Sequence, residues 1–221
     1  MNEREFRDGV FGEFARIGKC LSSPKRLEIL DILSQSPKSV EALSKSTAMS
    51  VANVSQHLQT LSQAKLVVSR RQGNFIFYEL ADPSVLRFLN SLYGLSENRL
   101  IEVKDIRDRF MDQFEDAEEV TLEELAKRME SGEVTLIDVR PADEYEAAHI
   151  PGAVSVPIGE LAEKLEALPA DSKIVAYCRG PYCLMSVKAA ALLRERGFRA
   201  GHLDKNVHDW NEFRLGAARQ S

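Results

Sequence analysis

The sequence predicts two domains: an N-terminal, mainly α unit that contains a β-hairpin, and a C-terminal α/β unit with a mostly parallel sheet. Three observations predict this. Within the first hundred residues, short helical periodicities lead into two strand-like runs joined at Gly73. From Thr121 onward, apolar strand-like runs alternate with helical segments, as in a parallel sheet covered on both faces. Charge is also divided: residues 1–100 carry 13 Lys and Arg against 10 Asp and Glu, net +3, and residues 101–221 carry 16 against 24, net −8. The chain's net charge of −5 would argue against nucleic acid, but the split points to two units with different partners. With 221 residues, 44% of them hydrophobic and 29% charged, the chain can bury real cores. Three cysteines exclude a disulfide-built fold and fit a reducing cytosol. No window approaches the ~20 apolar residues of a membrane span, and no N-terminal run resembles a signal peptide. The expectation is a cytoplasmic protein with no membrane partner.

Phe6, Val10, Phe14 and Ile17 space a first helix over residues 3–19. Ser23 and Pro24 start a second, which runs to Ser36-Pro37. Ser39 caps a short third helix, and Thr47-Ala48-Met49 turns the chain. Ser50 caps a fourth helix to about Ala64, with Val54, Leu58 and Leu61 as its apolar stripe. Strands over 66–71 and 75–80 flank Gln72-Gly73-Asn74, which tolerates a tight hairpin. This order is that of a winged helix-turn-helix. The polar face of the fourth helix offers Ser50, Asn53, Ser55, Gln56, His57 and Gln59, residue types that read base edges in duplex DNA. That helix carries no Lys or Arg, so phosphate contacts fall to Lys25, Arg26, Lys45 and Lys65, with Arg70 and Arg71 beside the hairpin tip. The competing reading is a helical protein-interaction module. A further helix spans 83 to about 109, with Gly94 as a candidate break. Residues 102–119 carry eight acids and three bases, so 101–117 is expected to be an acidic helical linker, with the domain boundary near 115–120.

In the second unit, Thr121 and Glu124 form a capping box for a helix that ends at Gly132. Strands follow at 134–139, 154–156, 173–177 and 198–203, with helices at 158–168 and 184–196 and a polar turn or short helix at 143–149. Cys178-Arg-Gly-Pro-Tyr-Cys183 lies between an apolar strand and a helix. A loop wrapped over a helix N-terminus points amides inward, holds anions and lowers a thiol pKa. Cys178 is the candidate nucleophile. Arg179 adds positive charge, Gly180 allows the curvature, Pro181 stiffens it, and Cys183 is a second thiol able to pair with Cys178 or accept sulfur from it; Tyr182 joins them as a candidate catalytic-loop residue. The alternative is a pair of buried structural cysteines. The functional reading requires the Cys178 sulfur to be held by amides and to be reachable by anions and soft sulfur.

Residues 1–100 resemble the ArsR/SmtB-type winged-helix repressors through SSPKRLEILDIL and SVEALSKSTAMSVANVSQHLQTLSQAKLVVSRRQGNFIFYEL. The resemblance implies a homodimer packed through helices near 4–19 and 84–109, bound to double-stranded operator DNA and released by an inducer. The chain departs from the metal-sensing pattern. It has no Cys-x-Cys before the recognition helix and no histidine in 84–109, and Cys20 is the sole thiol of this unit, a candidate redox group. No metal site is therefore expected.

Residues 118–216 resemble a single rhodanese domain through LIDVRPADEYEAAHIPGAVSVPIGEL and IVAYCRGPYCLMSVKAAALLRERGF. The resemblance implies that Cys178 carries a persulfide, taking sulfur from a small donor and passing it to a thiol acceptor, without a cofactor. Asp138 and Arg140 are expected to brace the loop, and His149 to stabilise a turn. The six-residue loop has sulfurtransferase length, and Cys183 stands where many relatives have Arg. His202 and His208 are extra, with a surface role as the default. Such a fusion implies a repressor whose rhodanese unit senses or transfers sulfane sulfur. A sulfurtransferase with the winged helix as tether, and arsenate reduction or arsenite sensing, stand as alternatives.

Overall fold

In the computed structural model, residues 1–114, 118–169 and 172–218 are described. The chain forms two compact units, Met1–Arg99 and Leu100–Ser221.

The first unit runs α1 (Glu3–Leu21), α2 (Pro24–Leu33), β1 (Lys38–Ser39), α3 (Val40–Thr47), α4 (Val51–Gln63), β2 (Val67–Gln72), β3 (Phe75–Leu80) and α5 (Pro83–Arg99). An Asn2–Glu5 capping box starts α1. Ser39 and Ser50 each accept a hydrogen bond from the amide three residues on, which fixes the starts of α3 and α4. Ser23 occupies the cap position of α2, but its side chain makes no capping bond, so the helix start rests on Pro24. β2 and β3 form an antiparallel hairpin in register from Val67↔Leu80 to Gln72↔Phe75, with Gly73 at φ +61° in the turn. β1 adds to the other edge of β3, giving the order β1-β3-β2. Ile29, Leu30, Leu43, Val54, Leu58, Leu61 and Leu89 fill the core. Gly94 does not interrupt α5. The break comes at Leu100, whose extended backbone (φ −114°, ψ 100°) ends the helix expected to continue to about 109.

The second unit runs α6 (Ile101–Met111), a 3-10 turn Asp112–Phe114, β4 (Glu118–Glu119), α7 (Leu122–Glu130), β5 (Val134–Asp138), α8 (Ala142–Ala147), β6 (Val154–Ser155), α9 (Leu161–Lys164), β7 (Lys173–Tyr177), α10 (Met185–Glu195), β8 (Ala200–Leu203) and α11 (Val207–Ala218). Its sheet has the order β4-β8-β7-β5-β6, and every pairing is parallel. Alternate residues face opposite layers. Ile137, Ile174, Ala176 and Cys178 pack with Ala190 and Leu193 of α10. Leu136, Val175, Tyr177 and Leu203 pack with Leu125 of α7 and Trp210 of α11.

Segment 101–117, expected to be a linker, departs from that role over its described part. α6 belongs to the second unit, held there by Arg107 Nη2 donating to Asp204 Oδ2 at 2.9 Å and by Lys188 Nζ lying 6.0 Å from the Phe110 ring centroid. Residues 115–117 lie outside the described residues.

Candidate functional site

β7 ends at Tyr177 and α10 begins at Met185, so residues 178–184 turn the chain from sheet to helix. Gly180 sits at φ +117°, which a side chain rarely adopts, and a Cβ there would lie 3.3 Å from Asn206 Nδ2. The Cys183 amide donates to the Gly180 carbonyl at 3.0 Å and closes the loop, while Asn206 Nδ2 donates to the Arg179 carbonyl at 3.4 Å.

The Cys178 sulfur lies beneath this loop, 3.2 Å from Ser186 Oγ and 3.2 Å from the Cys183 carbonyl oxygen. Burial pushes its pKa up. Hydrogen bonds from the Cys183 thiol, the Ser186 hydroxyl and the Ser186 and Gly180 amides outweigh burial, and the net shift is down. Cys183 moves the opposite way: its hydrogen bond to Cys178, its own burial and the neighbouring negative charge all raise its pKa. Both are free thiols. The surroundings drive the two thiols in opposite directions, Cys178 toward its anion and Cys183 toward its neutral form.

Two expectations about the loop need correction. Cys178 has no exposed surface, so the sulfur is covered rather than open to solvent, because the loop folds back over it. Arg179 does not add charge at the sulfur. Its Nε and Nη2 donate to Glu144 at 2.9 and 2.6 Å, and Glu144 is fully buried on α8. Arg179 thus ties the loop to α8. Tyr182 is exposed at the loop tip.

The brace expected from Asp138 and Arg140 is present as geometry. Arg140 Nε and Nη2 donate to the Asp138 carboxylate at 2.9 and 2.6 Å, Nη2 also donates to the Ala148 carbonyl at 2.7 Å, and both residues are buried. His149 is exposed, stacked on Tyr145 at 3.9 Å between centroids, with Nδ1 2.9 Å from the Tyr145 carbonyl oxygen. It lies in the turn after α8.

Sequence reasoning missed three residues. Ser186 sits in the first turn of α10, and a hydroxyl eight positions after Cys178 was the available signal. Arg107 reaches the site from α6. His202 was given a surface default; it is 2% exposed on β8, and both ring nitrogens lack a hydrogen-bond partner. Burial lowers its pKa. Arg107, Cys183, Ser186 and His202 line one small cavity behind the loop. His208, by contrast, is half-exposed on α11, with Nε2 3.2 Å from Glu212.

In the first unit, Ser50, Asn53, Ser55, Gln56 and Gln59 are exposed along α4, and Lys45, Lys65, Arg70 and Arg71 are exposed around it. His57 is half-buried, and desolvation together with the charges of Arg26 and Lys25 lowers its pKa. Arg26 is tied inward: it donates to the Cys20 carbonyl and, at 3.1 Å, to the Lys19 carbonyl, closing the end of α1. Lys25 pairs with Glu28 at 2.7 Å and donates to the Thr47 carbonyl at 3.3 Å. Cys20, the candidate redox thiol, is buried in the core with its Sγ 3.8 Å from the Thr60 carbonyl oxygen, and burial raises its pKa. Among the described residues, no group of three or more His, Cys, Asp and Glu is arranged to hold a metal ion, and no helix is long and apolar enough to cross a membrane.

Residues 121–213 match the rhodanese-like domain family, and residues 23–69 match the bacterial regulatory protein arsR family. The chain is 41% identical over 201 residues to the HTH-type transcriptional regulator Rv0324 of Mycobacterium tuberculosis, covering 91% of this chain and 88% of that one. Its similarity to the "Putative sulfur carrier protein YrkF" of Bacillus subtilis is 34% over 94 residues, which is 42% of this chain and half of that one. A solution structure of the homodimeric winged helix-turn-helix DNA-binding domain of Mb0332 from Mycobacterium bovis superposes with a TM-score of 0.42 at 32% identity, over 45% of this chain and 91% of that one. With nearly its whole length shared with Rv0324 and both family matches in the expected order, the chain belongs to the arsR family of bacterial regulators, in the form that carries a C-terminal rhodanese-like domain.

Proposed function

We propose that the protein is a homodimeric transcriptional repressor that takes sulfane sulfur onto Cys178 and changes its operator affinity in response. The observation that carries this reading is the Cys178 sulfur beneath its loop at the start of α10, 3.2 Å from Ser186 Oγ, in surroundings that lower its pKa despite burial. The Cys178 thiolate attacks the outer sulfur of a polysulfide or thiosulfate. A bond forms between the two sulfurs, the donor's own sulfur–sulfur bond breaks, and the shortened polysulfide or sulfite leaves with the electron pair. The same amides then stabilise the persulfide anion. Because the sulfur is covered, the loop 179–184 opens to admit the donor.

DNA recognition falls to α4, whose apolar stripe is buried while Asn53, Gln56 and Gln59 face solvent. Lys65, Arg70 and Arg71 supply phosphate contacts. Arg26 and Lys25 serve the fold first. Dimerisation uses the face that exposes Phe6, Phe11 and Phe14 on α1 and Phe88 and Leu95 on α5, apolar surface that a second copy would cover. Similarity of the second unit to the YrkF sulfur carrier favours a second reading, in which sulfur transfer is itself the output; sustained turnover of thiosulfate with cyanide would separate the two.

The test is intact and peptide mass spectrometry after brief polysulfide exposure. Added sulfur is expected on the peptide holding Cys178 and Cys183, and none on Cys20. Modification of Cys20 with Cys178 unchanged would overturn the proposal.

A further inference from the structure

Cys183 and His202 remain outside the sulfur-loading step. Cys183 is half-buried and adjoins Cys178, whose Sγ lies 3.2 Å from the Cys183 carbonyl oxygen. Next to it lies the small cavity, bounded by Arg107 and Met111 of α6, Ser186 of α10, and His202 and Asp204. Its most unusual feature is the imidazole. A buried ring with neither nitrogen hydrogen-bonded is costly to keep and marks a group waiting for a partner. The Glu118 backbone of β4 faces the ring without meeting hydrogen-bond geometry. The charged groups around it are Arg107 from α6, Glu119 from β4 and Asp204 from its own strand end, and Arg107 is already paired with Asp204.

We propose that Cys183 is a resolving thiol that discharges a Cys178 persulfide as hydrogen sulfide, and that His202 in the adjoining cavity carries the proton for this step. The inference rests on the sulfur-loading reading above. The Cys183 S–H bond breaks and its proton passes to His202. The Cys183 sulfur bonds to the inner sulfur of the persulfide, and the bond to the outer sulfur breaks. The outer sulfur leaves with the electron pair and takes the proton from His202. The two cysteine thiols together give up two electrons, which reduce the sulfane sulfur to sulfide, so no outside oxidant or reductant is needed, and the product is a Cys178–Cys183 disulfide. Burial holds His202 toward its neutral form, the form able to accept the proton, and it shares the small cavity with Cys183.

The test uses the full chain, reduced and freed of other thiols, exposed to inorganic polysulfide while sulfide is followed by electrode and the protein by intact mass. Wild type is expected to lose two hydrogens and to release sulfide. Cys183→Ser is expected to keep the added sulfur and release none by this route. His202→Asn and His202→Gln are expected to slow sulfide release by about 100-fold and to flatten its pH dependence on the acid side, the scale of a lost general base. Thermal melting confirms that each variant is folded, and two amides guard against one failing to fold. A wild type that holds its persulfide without forming the disulfide overturns the inference and leaves the sulfur-loading reading intact. Failure of Cys183→Ser to gain sulfur on Cys178 overturns that reading and this one together. Unchanged rates and pH profiles in both His202 variants remove the proton role.

Discussion

Cys20 in the first unit and Cys178 in the second are both buried thiols, and their surroundings drive them in opposite directions. Cys20 lies among apolar side chains with the Thr60 carbonyl oxygen and Arg26 beside it, and desolvation outweighs the lowering by Arg26, so its pKa rises. Cys178 is at least as buried, but it sits where a parallel strand runs out over the N-terminus of α10, and donors converge on the sulfur. Burial alone does not make a cysteine inert. The balance between desolvation and donors decides, and that balance follows from where in the fold the residue sits.

The largest effect expected from this contrast is on chemistry. Cys178→Ser should abolish sulfur uptake and Cys20→Ser should leave it unchanged, as read by mass after polysulfide treatment. Next is the frame that holds the loop. Asp138→Ala leaves the buried Arg140 guanidinium without its carboxylate and should destabilise the second unit by about 3–5 kcal/mol in denaturant unfolding. Gly180→Ala forces a side chain into φ +117° against Asn206 and should cost about 1–3 kcal/mol. A loss near zero would show that the loop is already loose.

In the first unit, Gln56→Ala should weaken operator binding by about 1–3 kcal/mol and relax preference at one base pair, measured on operator variants. The smallest effect belongs to Lys65→Ala. It should weaken binding evenly across sequences and lower the salt slope by about 1. The pH dependence sharpens the thiol contrast. A depressed pKa keeps Cys178 as thiolate while pH falls, so its alkylation rate should decline only below the free-thiol value of about 8.5, and Cys20 should stay slow at neutral pH.

Local chemistry made much of the fold legible. The Ser50 cap, the Gly73 hairpin and the Thr121–Glu124 box are each written within four residues, and each stands where the pattern predicts. The strand–loop–helix run at Cys178 was legible for the same reason. What escaped depends on partners distant in the chain. β1 and β4 are two residues each and exist because β3 and β8 offer free edges. α6 read as a linker because Asp204, which anchors it, lies 97 residues from Arg107. His202 read as a surface residue because β8 is buried on both faces and shows no alternation. Arg179 is cationic by sequence, but its partner Glu144 belongs to another helix, so its role as a tether was not visible.

The most direct test of the central claim is operator binding by the full chain, measured before and after polysulfide, for wild type and for Cys178→Ser. The account predicts that polysulfide changes the affinity of wild type and leaves the variant unchanged. Equal responses of the two proteins would contradict it.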